Sequence, residues 1–475
     1  MISPARVRTI PALIVSLAAF LIPVCGFAPD AAVAPAADII ATSAPVYLPL
    51  AALHPASQSE ERFPKGAQLQ LIHAGKSELL VKDFAAAADA QVSFDAKSVL
   101  FAGKKAATDP WQIWELSLKD RAVRKVASAP TDLVRPLYLP YGRLVYAHRG
   151  PQGFYLETAA LPGSKNAGSN IPVSDVIRLT YLPASAMPVD VLQDGMILFE
   201  AAYPLGAGSA PELYSMFSDG SGVESYRCDH GISRWGGKQL ASGDVVFTHG
   251  TSMARFTSPL AHEERVAAPH AEYAGSMVET PEGAWLLSAR SMPGTHYSLK
   301  LWKPGALTLQ TLLAVKDADL VQPVMIAEHP RPQQHPTALH PWDYANLMSL
   351  DTRQSREGDL KTTPKSVRLE MLNASGHAVT LGTAPVESDG SFFVKVPGDQ
   401  PIRFSLIDSK GAVVRQEHGW FWIRSGEQRI CVGCHTGPER ASENIVPAVL
   451  LRSTTPVDLT RAAQSGTQQK TPGGK

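Results

Sequence analysis

The sequence predicts an all-β fold, a β-propeller of about six blades followed by a small β-sandwich. Three observations predict it. Pro (38) and Gly (36) are plentiful among 475 residues, which suits short strands joined by turns rather than long helices. A turn residue followed by a strand of large apolar side chains recurs about every 45 residues through the first two thirds of the chain. After residue 342 the pattern changes to alternating runs broken by Asp-Gly and Lys-Gly turns, the mark of hairpins with one buried face.

Residues 1–34 have the layout of a secretory signal peptide. Arg6 and Arg8 form a basic start, an apolar run extends from Ile10 to Ile22, and small residues follow from Ala31 to Ala37. An anchor helix needs about 20 apolar residues; this run is shorter and Pro23 ends it, so no membrane span is expected once the signal is removed. Bulky Val24 argues against lipid anchoring at Cys25. The expected location is periplasmic or secreted. A hydrophobic content of 44% supports a buried core, and Lys plus Arg (44) equals Asp plus Glu (44), so no basic field advertises nucleic acid. The oligomeric state is left open. Residues 35–65, rich in Ala, Pro and Ser without a clean period, read as a linker.

The propeller is placed over residues 66–328. Strands are expected near Leu69 to Ile72 and Leu79 to Val81, with a turn at Gly75-Lys76. The repeat then shows in Val99-Leu100-Phe101, Leu144-Val145-Tyr146, Ile197-Leu198-Phe199, Val245-Val246-Phe247 and Trp285-Leu286-Leu287. Units of this kind cannot bury their apolar faces alone, and packing them radially around an axis does so. Five units are legible; the sixth is expected where Pro323 to Ile326 pairs with the strands near Leu69 to Val81. A repeating two-sheet sandwich is the alternative. The segment Ser93-Phe94-Asp95-Ala96-Lys97 before Val99 resembles the blade signature of WD40-like repeats in TolB-type propellers. No nucleophile elbow, metalloprotease helix or phosphate-cradling glycine loop occurs in this region. Its isolated histidines read as packed or surface residues, and its expected role is scaffold and docking surface.

Residues 329–341 contain four prolines and read as an extended, semi-rigid linker. Its histidines, His329, His335 and His340, invite a metal reading, but a proline-stiffened strand rarely converges three rings on one ion. Residues 342–452 read as the sandwich, with strands at Val367 to Leu372, Phe392 to Val396 and Ile402 to Ile407. Trp420-Phe421-Trp422 is either sandwich core or an apolar wall for a cofactor. Residues 453–475 read as a disordered tail.

The chemistry sits in Cys431-Val432-Gly433-Cys434-His435. The spacing C-x-x-C-H attaches a c-type haem: both sulfurs form thioethers with the vinyl groups, and the adjacent histidine reaches the iron from the proximal side. Cys431, Cys434 and His435 are thus expected to hold one covalent haem c, with His335, His340 and His418 as candidate distal ligands. No second cysteine pair completes a zinc site. The remaining cysteines are Cys25 in the signal and an isolated Cys228. The competing reading is a periplasmic binding protein whose propeller docks a partner and whose Cys431 and Cys434 form a disulfide.

The run from Pro385-Val386-Glu387-Ser388-Asp389-Gly390-Ser391 through Val396-Pro397, Trp420-Phe421-Trp422, Gly426-Glu427-Gln428 and the C-x-x-C-H resembles the middle domain of the hydrazine synthase alpha subunit and its exported relatives. The resemblance implies covalent haem on Cys431 and Cys434 with His435 proximal, in a family that also joins a propeller to a haem-bearing domain. It does not imply hydrazine synthesis, which uses a multi-subunit, multi-haem assembly, whereas this sequence has one C-x-x-C-H. The function expected is electron transfer with a redox partner protein, or redox chemistry at the haem if the distal position is open.

Overall fold

The computed structural model describes residues 35–50, 61–163, 176–202, 210–226, 232–258, 261–355, 358, 360–373, 375–417, 419–433 and 445–461. These form eight four-stranded sheets. Six are the blades of a propeller. Strands β1 (Ile39–Ala44), β2 (Gln68–His73) and β3 (Lys76–Leu79) belong to blade 1. Blade 2 contains β4 (Ala86–Val92), β5 (Ser98–Lys104), β6 (Gln112–Ser117) and β7 (Val123–Ala127). Blade 3 contains β8 (Leu133–Leu139), β9 (Arg143–Gly150), β10 (Gly153–Ala160) and β11 (Ile177–Arg178). Blade 4 contains β12 (Ser185–Val191), β13 (Ile197–Ala202), β14 (Glu212–Met216) and β15 (Glu224–Ser225). Blade 5 contains β16 (Arg234–Gln239), β17 (Val245–His249), β18 (Ser252–Phe256) and β19 (Glu264–Arg265). Blade 6 contains β20 (Glu272–Glu279), β21 (Trp285–Arg290), β22 (Ser298–Trp302) and β23 (Gln310–Leu313). Strand β24 (Asp319–Met325) then returns to blade 1 as its innermost member.

The five repeated apolar segments are the second strands β5, β9, β13, β17 and β21, and their buried side chains fill the spaces between blades. The sixth copy is β1, and here the structure corrects two expectations. Residues 35–65 are not a linker throughout: Ile39 to Thr42 are almost fully buried, and Tyr47, Arg62 and Phe63 are buried beyond them. Nor does β24 pair with the strands near Leu69; it pairs with β1 (Ile40↔Val324, Thr42↔Val321), which in turn pairs with β2 (Thr42↔Leu69). The short β-branched run Ile39-Ile40-Ala41-Thr42 is a strand buried on both faces, which leaves no polar alternation to read. The ring is therefore closed by joining the start of the described chain to the strand that follows blade 6. The hairpin of β2 and β3 turns at Ala74 (φ 48°) and Gly75 (φ 75°), both left-handed, as a two-residue hairpin loop requires.

A buried ion pair ties this N-terminal segment to the ring. Arg62 donates through Nη1 and Nη2 to both carboxylate oxygens of Asp89 (2.7 and 2.6 Å), and both residues are 6% exposed. Burial pushes the Asp89 carboxyl upward, but Arg62, with Arg135 behind it, outweighs this and holds it below the usual carboxylate range. A carboxylate depressed in the folded state contributes stability above its unfolded pKa and loses it as pH falls through its folded value. Replacing Asp89 by Ala leaves the Arg62 charge buried and unpaired, at a cost of about 3–5 kcal/mol. Thermal melts should show this deficit in full at neutral pH and a smaller one under strongly acid conditions; a deficit independent of pH would contradict the ion-pair account.

The remaining two sheets form the sandwich. One contains β25 (Tyr344–Asp351), β28 (Phe392–Pro397), β31 (Gln428–Gly433) and β32 (Val457–Asp458), and the other β26 (Ser366–Leu372), β27 (Ala378–Pro385), β29 (Ile402–Ile407) and β30 (Val413–Gln416). Ala345, Leu347, Val394 and Val396 face Val367, Leu369, Ile402 and Leu406 across the core. The helix α1 (Ala448–Arg452) docks through Val449, whose N–H donates to Ser391 Oγ (3.0 Å). The disordered tail expected from residue 453 is corrected for residues 453–461, which are ordered against the sandwich. Strand β32 pairs in parallel with β28 (Val394↔Val457), and Leu459 is buried in the sandwich core. A two-residue strand and one core leucine are too little to give the sequence a visible period.

Candidate functional site

Cys431 lies on β31, an edge strand that runs parallel to β25 in the register Asn346↔Gln428, Leu347↔Arg429, Met348↔Ile430 and Ser349↔Cys431. Side chains alternate along a strand. Gln428 and Ile430 therefore emerge on the outer face, and both are exposed, whereas Arg429 and Cys431 turn inward. Cys431 is a half-buried free thiol packed against the sandwich core, and burial pushes its pKa upward. Cys434 and His435 lie outside the described residues. So do His418 and Cys228.

Large apolar side chains are left uncovered on both sides of this segment. Ile430 before it, and Ile445 and Val446 after it, are each 62% exposed. A cleft of about 70 Å³ opens beside Ile445, with Leu350, Val432 and Pro447 on its apolar side and Asp351, Arg353 and Asp389 on its polar side. Uncovered apolar surface of this kind suits a large apolar cofactor. A sulfur donor with uncovered apolar neighbours fits the chemistry of a thioether-linked haem.

The candidate distal histidines do not gather around Cys431. His335 is exposed on the linker and packs on Phe217 of blade 4, with ring centroids 4.6 Å apart. His340 is exposed and stacks on Trp342 (4.1 Å), which stacks on Tyr344 (5.1 Å) under Lys395 Nζ. Its Nε2 meets Gln428 Nε2 at 2.7 Å, so it sits on the outer face of β31, three residues before the inward-facing Cys431. His329 packs on Phe94. The three linker histidines are thus held at three separate places by three aromatic rings. In the propeller, His148 contacts Glu157, His249 contacts Glu263 and His296 contacts Asp319, so each serves a local polar contact.

The aromatic block does neither of the things expected of it as a whole. Phe421 packs against the sandwich core beside Phe404. Trp420 (7% exposed) and Trp422 (1%) instead join Leu372 in a cluster with Leu179, Leu182, Tyr214 and Val223 of the propeller. They seal the sandwich onto blades 3 and 4. Arg424 completes this joint: its Nε donates to the Asp219 carbonyl (3.1 Å), and its Nη1 donates to Asp399 Oδ1 and meets Tyr181 Oη (both 2.6 Å). Burial raises the Tyr181 pKa, with Arg424 opposing. Gly222 N–H donates to Glu427 Oε1 (3.2 Å), and Arg429 Nε donates to the same oxygen (2.9 Å). The strand that carries Cys431 is thereby pinned to blade 4 at its first turn. Single polar residues with long-range partners leave no local signal, so neither Arg424 nor the role of Glu427 in this joint shows in the sequence.

Residues 349–436 match the family described as hydrazine synthase alpha subunit middle domain. Over 60 residues, 13% of this chain, the sequence is 38% identical to the hydrazine synthase subunit alpha of Kuenenia stuttgartiensis; that stretch spans 7% of the subunit's length. The solved structure of Kuenenia stuttgartiensis hydrazine synthase superposes with a TM-score of 0.74 at 17% identity, covering 88% of this chain and 71% of that one. TolB from Acinetobacter baumannii superposes with a TM-score of 0.43 at 15% identity, covering 60% of this chain and 66% of that one. Among the described residues, no helix is long and apolar enough to cross a membrane.

Proposed function

We propose, from a chain whose residues 349–436 match the hydrazine synthase alpha subunit middle domain, that this is an exported haem protein carrying one haem c. Cys431 and Cys434 would hold the ring by thioether bonds and His435 would supply the proximal ligand. The bound haem supplies one-electron redox chemistry, with a potential set by its axial ligands and by the exclusion of water. The chain's own residues do the rest. Ile445 and Val446 offer apolar surface to cover, β31 fixes the first cysteine on a rigid sheet, and Glu427 fixes that strand to the propeller. The observation that carries the reading is the C-x-x-C-H motif beginning on an edge strand flanked by uncovered apolar side chains.

The protein acts in this reading as an electron carrier or a haem oxidoreductase, served by a redox partner protein in the periplasm. The hydrazine-forming activity in the relative's name is not carried over. Of the candidate distal ligands, His335 belongs to Phe217 and His340 stands on the face opposite Cys431, so neither is assigned to the iron in this reading. His340→Ala should therefore leave the visible absorption spectrum of both oxidation states unchanged. A shift from low-spin to high-spin absorption in that variant would identify His340 as the sixth ligand and overturn this part of the proposal. The experiment for the whole reading is a denaturing gel stained for haem peroxidase activity, with a pyridine haemochrome spectrum, on protein made in a host with cytochrome c maturation. A stained band with a c-type spectrum is expected; an unstained band would leave the binding-protein reading with a Cys431–Cys434 disulfide.

A further inference from the structure

The innermost strands β4, β8, β12, β16, β20 and β24 surround the propeller axis, and each is interrupted by a bulge against its neighbour. At five of the six bulges a residue takes a left-handed backbone: Asp89 (φ 59°), Arg135 (φ 50°), Gly236 (φ 65°), Gly275 (φ 88°) and Gln322 (φ 54°). Glycine adopts this conformation freely, while other residues lose roughly 1 kcal/mol or more. Three adjacent blades nonetheless place Gln, Asp and Arg there. Strain of this kind collects where a side chain is needed.

Those side chains form a fixed polar wall. Gln322 Oε1 accepts from Asp89 N–H (3.2 Å) and from Thr42 Oγ1 (2.8 Å), while Asp89 Oδ2 accepts from Arg135 N–H (3.0 Å). Arg135 Nη1 donates to Glu200 Oε1, and Glu200, fully buried, accepts from Gly236 N–H through its other oxygen (2.9 Å). Beside this wall lies a cavity of about 130 Å³. A water needs ~10–15 Å³ on the same scale, so there is room for on the order of ten waters. Tyr47, 5% exposed and stacked on Phe63, bounds the polar end, and Pro188, Trp235, Met277 and Pro323 give the cavity apolar walls.

Two side chains in this cavity keep unused donors. The Tyr47 hydroxyl has no hydrogen-bond partner among the described residues, and neither do Nε and Nη2 of Arg135, whose Nη1 is held by Glu200. The Nε–Nη2 edge of a guanidinium presents two parallel N–H bonds that match the two oxygens of a carboxylate. We propose that the propeller channel is a binding site for a small carboxylate with a short apolar chain, its oxygens on Arg135 and Tyr47 and its chain among Pro188, Trp235 and Met277. Arg62, Arg135, Asp89 and Glu200 of the wall sum to zero charge, and Lys238, which also lines the cavity, is paired with Asp190 (2.7 Å), so recognition rests on these donors rather than on a general positive field.

The test is titration of the full-length protein with butyrate and with butyramide, followed by calorimetry. Saturable one-to-one binding of butyrate, and much weaker binding of butyramide, is expected. Tyr47→Phe removes no hydrogen bond that the protein itself makes, so it should melt as the parent does. It should nevertheless bind butyrate about tenfold more weakly, the worth of one hydrogen bond to a charged group. Arg135→Gln should abolish binding. Absence of saturable butyrate binding, equal affinity for butyramide, or an unchanged affinity in Tyr47→Phe would each overturn the proposal.

Discussion

Replacing both Cys431 and Cys434 by Ala should abolish covalent haem while leaving the propeller folded. The two cysteines supply both thioether bonds, and no other cysteine pair in the sequence could replace them. None of the six blades contains Cys431, which lies on β31 of the sandwich, and the ring is closed by β1 and β24. Cys431 is half-buried against the sandwich core, so its truncation to Ala costs only a modest part of that domain's packing. The measurement is haem staining of the purified variant beside its far-ultraviolet circular dichroism and melting profile. Loss of the stain with a retained β-sheet spectrum is the expected pair of results. Loss of the whole fold would mean that the propeller depends on the haem domain.

Trp422→Ala should detach the sandwich from the propeller. The side chain is 1% exposed in a cluster shared by Leu372 and Trp420 on one side and Leu179, Tyr214 and Val223 on the other. Truncating a buried Trp costs about 3–5 kcal/mol, which is large for an interface between two domains. Trp422→Phe separates packing from polarity. The Trp422 Nε1 group is buried with no hydrogen-bond partner, so the Phe variant loses volume but also removes an unsatisfied donor. Protease cleavage within residues 329–341 should become fast in the Ala variant and remain slow in the Phe variant. Equal protection in parent and Ala variant would place the strength of the joint elsewhere, at Arg424 and Glu427.

The parts of the fold that repeat were legible before the structure. Val99-Leu100-Phe101 and its four later copies are the second strands of five blades, because a buried strand between two others demands the same apolar run each time. The sixth copy, Ile39 to Thr42, was lost in an Ala/Pro-rich setting and lies far ahead of the strand it joins, at Val321 and Val324. Pairing across so long a stretch of chain carries no local signature. The same holds for the site. The C-x-x-C-H spacing is chemistry written in five consecutive residues, whereas the polar wall of the channel is assembled from Thr42, Asp89, Arg135, Glu200 and Gln322 on four blades. Trp420 and Trp422 were visible as important but not as an interface, since an aromatic run looks the same whichever surface it meets.

The most direct measurement of the haem is the intact mass of the full chain purified from a host with cytochrome c maturation. The mature polypeptide should be heavier by one haem, and the Cys431→Ala, Cys434→Ala variant should not. A parent lighter than its reduced sequence by two hydrogens, with no haem attached, would reveal a disulfide in place of the cofactor and contradict the haem reading.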